Sequence, residues 1–128
     1  LKRICQYVGS QKSGVYSRPV VKALAYMEEN YSSPVLSMED TAVAAGLSSA
    51  RFSTSFKSET GVTFTDYLLK LRMEKAKDLM RDPNRKIYEI AMMTGYSNIP
   101  YFSTAFKKYT GCPPSEYREK QHGLQGKV

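Results

Sequence analysis

Apolar residues recur along this chain at helical intervals and hardly ever alternate. Val20, Leu24, Met27 and Tyr31 follow at spacings of four, three and four, which places them on one face of a helix. Pro19 suits the first turn of that helix, and Ser32-Ser33-Pro34 ends it. Ser37 followed by Asp40 predicts a capped start to a short helix over 38–45 that Gly46 stops. Ser48 caps the next helix, where Phe52 and Phe56 stand one turn apart and Thr60-Gly61 marks the end. Thr63 and Asp66 open a long helix over 64–81, about 27 Å at the usual rise, with Tyr67, Leu68, Leu71, Ala76, Leu79 and Met80 as its apolar positions. Asp82-Pro83-Asn84 breaks it.

Beyond that break the pattern repeats. Ala42, Gly46 and Ser48 match Ala91, Gly95 and Ser97 at an offset of 49, and from Phe52 onward the offset is 50. The run Phe52-Ser53-Thr54-Ser55-Phe56-Lys57-Ser58-Glu59-Thr60-Gly61 matches the run from Phe102 to Gly111 at seven positions in ten, and Tyr67 then pairs with Tyr117. The second copy therefore carries one extra residue in or just before the first turn of its second helix. Each copy reads as helix, Gly-x-Ser turn and helix, the sequence form of a helix-turn-helix. The Ala allows two helices to cross closely, the Gly a positive φ, and the Ser a cap on the second helix. One Ala-x-x-x-Gly-x-Ser is weak; two, each followed by Phe-x-x-x-Phe-Lys-x-x-Thr-Gly, are strong.

Charge sharpens the picture. The 128 residues hold 19 Lys and Arg against 12 Asp and Glu, a net charge of +7 that favours an acidic partner. With 41% hydrophobic residues and 15 aromatics, the chain can build a core. The longest uncharged stretch, 90–106, is interrupted by Gly95, Ser97, Asn98 and Pro100 and does not read as a membrane span. Cys5 and Cys112 lack neighbours at disulfide or metal-ligand spacing, and His122 sits in a Gly/Gln/Lys tail. Together these features predict a reduced, cytoplasmic protein with no metal, no cofactor and no catalytic residues.

With Phe52 and Phe56 turned inward, the opposite face of the first copy presents Ala50, Arg51, Thr54, Lys57 and Ser58, and the second copy presents Pro100, Tyr101, Thr104, Lys107 and Lys108. No acid occurs between Asp40 and Glu59 or between Glu89 and Glu116, so nothing on either face repels phosphate.

Residues from about 17 to 120 resemble the DNA-binding domain of the AraC/XylS family of bacterial transcription regulators. The resemblance rests on Ala42…Gly46-Leu47-Ser48…Phe52…Phe56-Lys57…Thr60-Gly61, on Tyr67-Leu68…Leu71-Arg72…Lys75-Ala76, and on Ile87…Glu89-Ile90-Ala91…Gly95-Tyr96-Ser97. It continues through Tyr101-Phe102-Ser103…Phe106-Lys107-Lys108-Tyr109-Thr110-Gly111 and Pro114-Ser115-Glu116-Tyr117-Arg118.

The resemblance implies an all-α fold of about seven helices. Two tandem helix-turn-helix subdomains, 17–63 and 82–120, are joined by the long helix over 64–81, with their recognition helices entering successive major grooves of double-stranded DNA. It assigns base contacts to Ala50, Arg51, Ser53, Thr54, Pro100, Tyr101 and Thr104, and phosphate contacts to Ser48, Lys57, Ser97, Lys107 and Lys108. Many relatives have a long polar side chain where this chain has Thr54 and Thr104, which leaves Arg51 as the long donor suited to a bidentate guanine contact. Where the family often has Thr, this chain has Pro113, expected to trade a capping hydroxyl for a rigid turn while Ser115 and Glu116 serve the last helix start.

Residues 1–16 read as a linker or the end of an upstream domain, with a flexible connector over 9–17, and 121–128 as a tail. Starting at Leu1, the chain reads as part of a longer protein, dimeric through an N-terminal domain that is a ligand-binding barrel or a receiver domain. The fragment itself is expected to be monomeric. A promoter-bound regulator of this kind also meets RNA polymerase. The competing class is a helical interaction module whose basic face binds an acidic protein or RNA.

Overall fold

The computed structural model of the protein describes residues 16–126, with side chains through Gln121. The readings made for the connector over 9–15, for Cys5 and for the His122 side chain lie outside the described residues. Within them the chain forms α1 (Arg18–Asn30), α2 (Met38–Ala45), α3 (Ser49–Thr60), α4 (Phe64–Leu79), α5 (Ile87–Met93), α6 (Ile99–Thr110) and α7 (Pro114–Gly126), with no strand.

Local chemistry sets most helix starts. The hydroxyls of Ser37, Ser48 and Thr63 accept from the backbone N–H groups of Asp40, Arg51 and Asp66 at 3.1, 3.3 and 3.1 Å. At α5 the roles reverse, and the Glu89 carboxylate reaches back to accept from the Lys86 backbone N–H at 2.9 Å. The start of α1 is held from a distance: Glu59, in the last turn of α3, accepts from both the backbone N–H and the hydroxyl of Ser17 at 2.7 Å. The two copies stop alike. Thr60 and Thr110 sit 2.8 and 2.9 Å from the carbonyls of Phe56 and Phe106, and each hydroxyl also accepts from the N–H two residues on.

Two separate cores form, one in each half. Phe52, Phe56, Phe64 and Leu68 pack with Ala23, Met27, Ala42 and Ala45. Phe102, Phe106, Ile90 and Ala91 pack with Met73, Ala76, Met80 and Tyr96. In each core the paired phenylalanines meet a tyrosine ring edge-on: Phe56 with Tyr67 at 5.5 Å, Phe106 with Tyr117 at 5.3 Å. Helix α4 belongs to both, giving Phe64 and Leu68 to the first and Met73 and Ala76 to the second.

Some expectations need correction. The long helix ends at Leu79, not Arg81, because Met80 caps it and the chain turns through Arg81 and Asp82. Its 16 residues span about 24 Å. Ala23 and Met73, absent from the expected apolar faces, are fully buried, one in each core. Pro113 stands just outside α7, and its carbonyl accepts from Tyr117 N–H at 2.9 Å, with Pro114 as the first helical residue; Ser115 and Glu116 lie inside the first turn. Helix α7 runs on to Gly126, into the residues read as a tail.

Candidate nucleic-acid interface

The extra residue of the second copy falls in the turn. Three residues, Gly46-Leu47-Ser48, separate α2 from α3, whereas Gly95-Tyr96-Ser97-Asn98 precede α6. The cap shifts accordingly. Asn98, not Ser97, caps α6, its side-chain oxygen accepting from Tyr101 N–H at 2.9 Å. Ser97 therefore stands one residue ahead of the helix start that it was expected to occupy, while Ser48 does cap α3.

Outward from the buried phenylalanines, α3 presents Ala50, Arg51, Ser53, Thr54 and Lys57 to solvent, and α6 presents Pro100, Tyr101, Thr104, Lys107 and Lys108. Ser48 and Ser97 are exposed in the turns. Thr54 donates its hydroxyl back to the Ala50 carbonyl at 3.2 Å, which leaves its methyl and oxygen lone pairs for a partner. Tyr101 is 65% exposed, although its ring leans on buried Tyr96 at 5.8 Å between centroids.

Five of the remaining cations are held in ion pairs. Lys75, Lys77, Arg81, Arg85 and Lys120 are engaged with Glu28, Glu74, Asp78, Asp82 and Glu116. Among the described residues no carboxylate pairs with Arg51, Lys57, Lys107 or Lys108. The one acid on α3 or α6, Glu59, is turned to Ser17. Both outward faces thus present cations whose charge is not internally compensated.

The halves differ in charge. Residues 17–63 hold four Lys and Arg against five Asp and Glu, whereas 82–120 hold six against four. Lys2, Arg3, Lys12 and Lys127, which account for over half of the net charge, lie outside both. The second segment thus carries the more positive balance.

Sequence reasoning attached no role to Arg72, yet it joins the halves. Its Nε donates to the Tyr31 carbonyl and its Nη2 to the Ser33 carbonyl, both at 2.9 Å, and its guanidinium lies 5.4 Å from the centre of the Tyr96 ring. Burial lowers the Arg72 pKa and raises that of Tyr96, and their mutual attraction opposes both shifts. Gly95, at φ 94°, lies against the same place: a Cβ there would meet the Tyr31 carbonyl and come within 2.8 Å of Arg72 Nε. The signal available in sequence was an arginine set between the apolar Leu71 and Met73 of a core helix.

Two helix-turn-helix units, each turning an acid-free face of its second helix to solvent, define a helix-turn-helix DNA-binding domain. A family model described as a helix-turn-helix domain matches residues 41–120. The raffinose operon regulatory protein RafR of Pediococcus pentosaceus is 38% identical over 97 residues, 76% of this chain and 35% of that protein. The C-terminal domain of the two-component response regulator yesN from Fusobacterium nucleatum superposes with a TM-score of 0.73 at 40% identity, over 76% of this chain and 94% of that one. The DNA-binding domain of the transcriptional factor AdpA, solved in complex with a target DNA, has the same fold, with a TM-score of 0.80 at 22% identity over 88% of this chain and all of that one.

The chain belongs to the AraC-type helix-turn-helix family of transcription regulators. It spans about a third of the length of the curated relatives it matches. Among the described residues no helix is long and apolar enough to cross a membrane.

Proposed function

We propose that this domain is the DNA-reading part of a bacterial transcription regulator and sets α3 and α6 into successive major grooves on one face of a promoter. The observation that carries the reading is the duplicated, acid-free outward face with its unpaired cations on two helices tied to one spine, α4. Successive major grooves lie about 34 Å apart, and a spine of about 24 Å plus the radii of the flanking helices matches that scale.

In this reading Arg51 makes the bidentate guanine contact, Thr54 and Thr104 offer methyls to thymine, and Ala50, Ser53, Pro100 and Tyr101 complete the base-facing set. Lys57, Lys107 and Lys108 hold phosphates, with Ser48 and Ser97 beside the helix starts. Residues 17–63 and 82–120 act as two reading units, and the domain binds without catalysing.

The longer protein works in the cytoplasm and dimerises through an N-terminal domain, while this domain alone is monomeric. Likeness to the response-regulator domain favours a receiver over a ligand-binding barrel upstream, and activation proceeds through contact with RNA polymerase at the promoter.

Selection of bound sites from a random duplex pool tests the reading. It predicts two short conserved clusters one helical turn apart and salt-steep binding that prefers the selected site to random duplex. Salt-insensitive binding, or equal binding to RNA and to random duplex, overturns it in favour of an interaction module.

A further inference from the structure

The two cores share no residue other than through the backbone of α4. A shared helix fixes an axis, but each helix-turn-helix could still tilt about its own apolar contact. On α4, between Leu71 packed against the first core and Met73 of the second, stands Arg72.

Its fork takes the carbonyl of Tyr31, which caps α1 at the negative end of the helix dipole, and that of Ser33 in the turn beyond. Its guanidinium lies over the ring of Tyr96, 5.4 Å from the centre, in the turn of the second helix-turn-helix. The bare backbone of Gly95 closes the remaining gap against Tyr31 and the guanidinium. Tyr96 in turn supports Tyr101, on the outward face of α6. One side chain on the spine thus meets the segment that follows α1 and the second turn, and is one ring away from a candidate base contact. A lysine could keep the charge but not the paired hydrogen bonds of a planar fork.

We infer that Arg72 is a positioning residue which fixes the angle between the two recognition helices, and with it the separation of half-sites that the protein accepts. This rests on the two-groove reading above.

Three duplexes test it: the site selected by the wild-type chain, the same site with one half scrambled, and the same site with one base pair inserted between the halves. The wild-type chain should bind the intact site far more tightly than either altered one. For Arg72→Ala, binding to the half-site should stay within about twofold of wild type, while binding to the intact site falls on the order of 10-fold, because a fixed angle raises the effective concentration of the second contact. The penalty for the inserted base pair should shrink as well. Arg72→Lys should change both quantities in the same direction, and it carries the comparison if the alanine variant does not fold.

Equal loss on intact and half sites, an undiminished insertion penalty, or a lysine variant indistinguishable from wild type would each overturn the assignment. If the wild-type chain itself binds half and intact sites equally, the two-groove reading fails instead.

Discussion

Glu59 and Ser17 are joined by two hydrogen bonds of 2.7 Å, one to the backbone N–H and one to the hydroxyl of the residue that precedes α1. The last turn of the first recognition helix therefore clasps the point where the chain enters the domain. An acid near a helix C-terminus is unfavourable for the dipole, so this tertiary contact gives the residue its place. Glu59→Ala should lower stability by about 1 kcal/mol and expose the α1 amides first. Hydrogen exchange checks this: unchanged protection at the start of α1 would refute it.

Gly46 and Gly95 occupy matched turns but face different surroundings. Both have positive φ, 81° and 94°, yet only Gly95 lies where a Cβ would collide. Gly46→Ala should cost about 1 kcal/mol of backbone strain, whereas Gly95→Ala adds a collision with backbone and should cost about 3 kcal/mol or more. Urea unfolding of the two variants measures the difference, and equal costs would mean that the Gly95 contact yields without strain.

Lys107→Ala should weaken binding to every duplex and reduce the salt slope by about one unit. Thr54→Ala should leave that slope unchanged and alter preference at one or two base pairs. Titrations across a salt series on selected and random duplexes separate the two effects; a Lys107 variant with unaltered salt dependence would move the docking surface elsewhere.

Burial, together with a 2.7 Å hydrogen bond to the carboxylate of Glu74 and the charge of that carboxylate, pushes the Tyr109 hydroxyl up to about 12, against an ordinary value of 10.0. The folded state then keeps this proton to higher pH than the unfolded chain does. The stability it contributes is complete below about pH 10 and is lost as pH rises through about 12. Tyr109→Phe should therefore flatten the alkaline fall in stability, as read by denaturant midpoints across that range. An identical fall in both proteins would assign it to other tyrosines.

Helix starts were readable because capping is local: Ser37, Ser48 and Thr63 act on an amide three residues away. Ser97 misled for a related reason. Two polar residues stand side by side in the second turn, and alignment to the first copy favours the serine, but the extra residue is taken up ahead of the helix and Asn98 becomes the cap. The outward faces followed from the inward phenylalanines, since helical period ties one to the other. Arg72 was legible only as a residue type. Its partners are carbonyls 39 and 41 positions away, and a carbonyl leaves no mark in sequence. Ala23 and Met73 were missed because neighbouring helices decide which edge of an apolar face is most deeply covered.

The division of α4 between two cores has a consequence for how such a chain can change. No cut through the sequence frees one half without opening the other: a piece ending at Gly61 lacks Phe64 and Leu68, and a piece beginning at Asp82 lacks Met73 and Ala76. The ancestral repeat is therefore no longer a pair of portable modules. Descent can redraw the outward faces of α3 and α6 position by position, but the halves must be inherited together.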